Sequence, residues 1–142
     1  MVERVDPFSE GEPLHSAAGG GKLSVLRALL KEGVSVHAFD ESGYTALHYA
    51  VKAERLQAVK ILLEAGADVN AQDNSLGQDT PLGSVAATCS LEMAKALIAA
   101  GADPTIRGRM QMSALDRVRQ RKRPEGRAVC EVVEKAARMR KQ

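Results

Sequence analysis

Tryptophan is absent from this 142-residue chain, and phenylalanine and tyrosine occur only twice each. A large globular centre built on aromatic rings is thereby excluded. The core must come from Leu, Ala, Val and Ile, which suits close helix packing. Cysteine is as scarce. Cys89 and Cys130 are too few and too far apart for a disulfide framework or a metal-ligand pair, so both read as buried, reduced thiols. No apolar run approaches the roughly 18 residues needed to cross a membrane. The opening MVERVDPFSEG lacks the apolar segment of a secretory signal. These absences predict a soluble, cytoplasmic protein.

Signatures of catalysis are missing as well. No phosphate-binding loop or dinucleotide fingerprint occurs, and Gly19-Gly20-Gly21-Lys22 reads as a turn between two short helices. No Ser or Cys lies in a nucleophile motif. The paired carboxylates Asp40 and Glu41 belong to a loop where solvation accounts for them. The chain is expected to be a non-enzyme with no cofactor and no metal.

What is present is period. The stretch Tyr44 to Ala71 reads as two short antiparallel helices followed by a projecting loop. Thr45 is placed to cap the first helix. Leu47, Ala50 and Val51 share one face at helical spacing, and Leu56, Val59, Leu62 and Leu63 form the apolar face of the second. Gly66 ends that helix, where the chain needs a left-handed residue. Neither helix is long enough to stand alone in water, so the pair needs neighbours.

The chain supplies them. Glu12-Pro13-Leu14-His15, Thr45-Ala46-Leu47-His48, Thr80-Pro81-Leu82-Gly83 and Ser113-Ala114-Leu115-Asp116 occupy equivalent places, their leucines 33, 35 and 33 residues apart. Gly33, Gly66 and Gly101 keep the same step, and Leu23, Leu56 and Leu91 each follow their leading leucine by nine. A period near 33 with a T-P-L-H-x-A opening resembles the ankyrin repeat family from about Glu12 to Arg140. The resemblance implies an all-α solenoid of stacked helix-turn-helix repeats with β-turn or loop fingers. It gives a single domain over 12–142, with repeats at about 12–39, 40–72, 73–106 and 107–142, after a leader over 1–11. In the family pattern, His15 and His48 would bond neighbouring backbone.

Departures from the pattern mark individuality. The loop from Asp73 to Asp79 is two residues longer than Asp40 to Tyr44. Gly83 and Ser84 weaken a helix start, while His37 and Thr105 stand where Asn70 does. The last repeat carries Arg119-Gln120-Arg121-Lys122-Arg123, turns at Pro124, and resumes with Ala128, Val129, Val132, Val133 and Ala136 on one stripe. Ser113 to Arg140 reads as a terminal cap whose arginines form a solvated outer face. From Arg107 onward there are 12 basic and 4 acidic residues, against 8 and 14 before it, so an acidic body carries a basic end.

The resemblance implies a non-catalytic protein–protein interaction module, a scaffold or adaptor, monomeric on its own. The partner would meet a concave face made by fingers and inner helices. Carried over by position, finger residues are Phe39, Glu41, Ser42 and Tyr44, then Gln72, Asn74, Ser75, Leu76 and Gln78, then Arg107, Arg109, Met110 and Met112; inner-helix positions include Lys52 and Thr88. Tyr44 and Leu76 are expected to be exposed, and Phe39 and Met112 could equally fold onto the stack. The alternative is binding of nucleic acid or another polyanion through Arg117, Arg119, Arg121, Lys122 and Arg123. The arginines spread around a helix, and no aromatics interleave to stack on bases, so the protein partner is preferred.

Overall fold

The computed structural model describes residues 12–73, 76–121 and 124–140. The expected leader lies outside them. By internal contacts the chain divides into two compact units, Met1–Ala67 and Asp68–Gln142.

The first unit contains α1 (Glu12–Gly20), α2 (Leu23–Lys31), α3 (Ala46–Lys52) and α4 (Leu56–Glu64). Helix α1 packs on α3, and each also packs on the helix that follows it. Small residues permit that approach: Ala17 and Ala18 on α1 and Ala46 and Ala50 on α3 are all buried. A Cβ on Gly19 would meet the Tyr49 Cβ at 3.5 Å. Leu14, Leu26, Leu47 and Leu62 are fully buried around this seam, each worth roughly 2 kcal/mol relative to exposure. Thr45 caps α3 as expected, accepting from the His48 N–H, while the His48 ring accepts in turn from the Thr45 N–H. Gly66 has φ 94°, the left-handed stop predicted for α4.

The second unit contains α5 (Pro81–Val85), α6 (Leu91–Ala99), α7 (Ala114–Arg119) and α8 (Pro124–Arg140). Helix α5 packs on α7, α6 on α8, and α7 on α8. Its core is Leu82, Val85, Met93, Ala94, Leu97, Val118, Val129 and Val133. Thr80, Ser90 and Ser113 cap α5, α6 and α7 through their hydroxyls. Helix α5 has only five residues. A Cβ on Gly83 would lie 3.1 Å from the Thr80 hydroxyl and 3.5 Å from the Asp79 Cβ, a tight fit at the place where α3 carries His48. Asn70 reaches the next repeat, accepting from the Asp103 N–H at 2.7 Å and donating to the Gly101 carbonyl at 3.2 Å.

Among the described residues, no helix is long and apolar enough to cross a membrane.

Candidate partner-binding fingers

The finger of the first unit is a tight turn over Asp40–Gly43, closed by the Gly43 N–H on the Asp40 carbonyl and by the Asp40 N–H on the Tyr44 carbonyl. Gly43 takes φ 83°, the left-handed residue that lets such a loop rejoin its partner arm. The Asp40 side chain organises this turn. It accepts from the Ser42 N–H at 3.0 Å, the Tyr44 N–H at 2.9 Å and the Tyr49 hydroxyl. Burial works to raise its pKa, but the Tyr49, Tyr44 and Ser42 hydrogen bonds and the nearby His15 outweigh it and hold the carboxyl below its ordinary value. Solvation alone, the sequence expectation for Asp40, does not describe this half-buried group. Glu41 beside it is exposed.

The histidines act structurally here. His15 donates from Nε2 to the Tyr44 carbonyl at 2.8 Å, with the Tyr49 ring edge-on at 5.4 Å. Tyr44, expected to be exposed, is half-buried, with the Lys52 Nζ 4.2 Å from its ring centroid. The ring seals the finger onto α3 and leaves Lys52 outward. Phe39 and Ser42 are exposed.

Two fingers belong to the second unit. Gln72, half-buried at the root of the first, donates to the Arg107 carbonyl at the root of the next, at 2.6 Å. Leu76 is 52% exposed at the tip of the first. Gln78 is half-buried and Thr88 exposed. Asn74, Ser75, Lys122 and Arg123 lie outside the described residues.

The second of these fingers is a miniature hairpin. Arg107 pairs with Ser113 in an isolated antiparallel bridge, the Gly108 N–H donates to the Met112 carbonyl at 3.0 Å, and the Met112 N–H donates to the Arg109 carbonyl at 3.2 Å. The two residues at its turn, Met110 and Gln111, both have positive φ, 60° and 58°. That is a type I′ arrangement, which ordinarily selects Asn and Gly. Two side-chain-bearing residues held there cost about 1 kcal/mol each or more. Met110 is 87% exposed, Met112 is half-buried, and Arg107 and Arg109 are exposed.

Asp79 fixes this hairpin. The residue is buried, and its carboxylate takes both Arg117 Nη groups at 2.9 and 3.0 Å and the Arg109 N–H at 2.9 Å. Arg117 donates further to the Gly83 carbonyl at 2.9 Å and the Arg109 carbonyl at 3.1 Å. Gly108 lies so close that a Cβ would come 2.8 Å from the Asp79 Cα, a backbone atom that cannot turn aside. In the sequence Asp79 is only the last residue of the longer loop, and this role goes unseen. Its visible signals were slight: an acidic residue standing before Thr80 where Tyr44 stands before Thr45, and a glycine at 108.

The cap arginines also turn inward. Arg121 donates to the Ala86 and Cys89 carbonyls at 3.2 and 2.9 Å, beyond the end of α5. Arg119 pairs with Glu134 at 3.1 Å, and Arg140 with Asp103 at 3.3 Å. The solvated outer face expected of these residues is, at Arg117 and Arg121, a set of internal staples. Cys130, half-buried beside Glu134, has its thiol pKa pushed up by burial and that carboxylate, the reverse of a reactive thiol.

Paired helices, hydroxyl-capped inner helices and projecting loops define the all-α ankyrin-repeat solenoid class. The family model for ankyrin repeats (3 copies) matches residues 2–73, half of the chain. The chain belongs to the ankyrin repeat family, whose members generally serve as protein-binding modules. Two ankyrin repeat proteins of fowlpox virus (strain NVSL) are similar to it. FPV223 is 46% identical over 39 residues, 28% of this chain and 28% of that protein. FPV224 is 44% identical over 44 residues, 31% of this chain and 30% of that protein. The chain thus matches under a third of the length of these curated relatives.

Proposed function

We propose that this protein is a non-catalytic interaction module that binds a protein partner through its finger loops and the exposed positions of its inner helices. One observation carries the reading: in the second unit the finger roots are tied down by Asp79, Arg117 and Gln72, while Leu76 and Met110 remain outside. Loops tied at their roots lose less entropy on binding, and an exposed apolar residue on them places an anchor where a partner can bury it. In the first unit the corresponding surface is Phe39, Glu41, Ser42 and Lys52, with Tyr44 as its support. Among the described residues of the cap the polyanion alternative draws no support, since Arg117 and Arg121 donate to internal acceptors and Arg119 to Glu134.

The test starts with capture of partners from native extract on the immobilised protein and identification of the bound protein. Binding of that purified partner to Phe39→Ser and Leu76→Ser variants is then measured. At least a tenfold loss in one of the two is expected, with the melting temperature unchanged. Wild-type affinity in both variants would overturn the assignment.

A further inference from the structure

The hairpin over 107–113 combines three properties that folding alone does not call for. Its turn residues Met110 and Gln111 both sit in the left-handed region, where glycine or asparagine would be easier. The first of them is an unbranched thioether, 87% accessible. Flanking it, Arg107 and Arg109 are both exposed, one on each side of Gly108, which presses against Asp79. Asp79 is engaged by Arg117, and Asp116, held below its ordinary pKa first by the N–H and hydroxyl of Ser113 and further by the charges of Arg107 and Arg119, offsets part of the Arg107 charge and leaves Arg109 the freer of the two. The hairpin therefore offers an apolar tip between positive charges, on a root that a buried ion pair keeps from yielding.

We infer that this hairpin is a basic, methionine-tipped key for an acidic protein segment, one that presents an apolar socket rimmed by Asp or Glu side chains. The inference rests on the protein-binding reading and names the chemistry of the partner. Methionine has three rotatable bonds and a polarizable sulfur, so it fills an irregular apolar socket with little demand on shape. The two guanidinia supply charge-assisted bonds to carboxylates around that socket and speed encounter with an acidic surface. A nucleic acid would reward the arginines but not the methionine, because its phosphates have no apolar socket and its bases favour aromatic platforms.

The strain in the turn makes the test decisive. A Met110→Gly variant removes the apolar tip and relieves the left-handed strain, so a residue kept for binding and one kept for folding give opposite results. The full-length protein is used to select from a random 12-residue peptide display library, and the enriched peptides are synthesised as probes. Peptides pairing aliphatic or aromatic residues with flanking Asp or Glu are expected. Their affinity should fall at least tenfold in Met110→Gly, with the melting temperature equal to or above wild type. In Arg109→Glu it should fall by a similar factor, and the wild-type affinity should weaken as salt rises. Three results would each overturn the inference: failure to enrich acidic peptides, retained affinity in both variants, or tighter binding to a 20-base-pair DNA duplex than to the peptides at physiological salt. Loss of the captured partner in Leu76→Ser with full retention in Met110→Gly and Arg109→Glu would overturn the key and leave the interaction module standing.

Discussion

Tyr44 and Asp79 each stand just before a capping threonine, Thr45 and Thr80, yet the two units use that position differently. In the first unit the position holds a ring that lies beside Lys52 and His48, and its carbonyl receives His15. The finger is closed by neutral donors to Asp40, the farthest of them nine residues away. In the second unit the position holds a buried carboxylate whose arginine comes from 38 residues further on. A local, mostly neutral device tolerates the loss of one member, because each bond is modest. A buried ion pair does not, because the survivor keeps its charge and loses its partner.

Breaking the charged device should have the largest effect. Arg117→Met leaves Asp79 buried with its guanidinium gone and should cost about 3 kcal/mol or more. Amide exchange would show protection falling over residues 81–119 and holding over 46–64. Adding Asp79→Ala to Arg117→Met should recover a large part of that loss, since an apolar pair leaves no orphaned charge. No recovery would mean that packing rather than charge dominates.

The neutral device should give a smaller, pH-dependent effect. Tyr49→Phe removes one donor from Asp40 and should cost about 1 kcal/mol near neutral pH. Asp40 is held below its ordinary 3.8, so its contribution is present above that value and is lost as pH falls through the lower folded one. Tyr49→Phe moves the folded pKa back up. Denaturation midpoints of variant and wild type should therefore converge as the pH is taken from about 5.5 to about 2.5. A constant gap across that range would show that the hydroxyl acts on something other than the charge.

The smallest expected effect concerns the turn between α3 and α4. Glu54 has φ 58°, at the position where Gly21 has φ 68° one repeat earlier. Glu54→Gly relieves that backbone at the cost of a looser unfolded chain, and should raise the melting temperature by roughly 2–4 °C. A fall would show that the Glu54 side chain contributes more than the strain takes away.

How much of this was legible in the sequence follows from the range of the interactions. Leu14, Leu47 and Leu82, the caps Thr45, Thr80 and Ser113, and the left-handed Gly33, Gly66 and Gly101 all announce themselves, because period, capping and φ are local properties. Arg117 and Arg121 do not. All their acceptors but the Arg109 carbonyl lie 32 to 38 residues away, and a run of basic residues in a terminal repeat looks the same whether it faces solvent or a neighbouring carbonyl. The hairpin was hidden for another reason. Its turn carries Met110 and Gln111, neither of which signals a left-handed residue, and the hairpin that holds them is anchored on distant Asp79 and Gln72.

Arg121 also bears on how the protein emerges from the ribosome. The carbonyls of Ala86 and Cys89 receive its guanidinium from 35 and 32 residues downstream, and Asp79 waits longer still for Arg117. At a synthesis rate of about 5–20 residues per second, these groups remain without their arginine donors for seconds after they leave the tunnel. Thr45, His48 and Asp40 find their partners within nine residues. The finger turn and the α3 cap of the first unit can settle as they are made, whereas the nascent second unit passes through an interval in which a buried carboxylate and two carbonyls depend on water, the stage at which a chaperone would have most to hold.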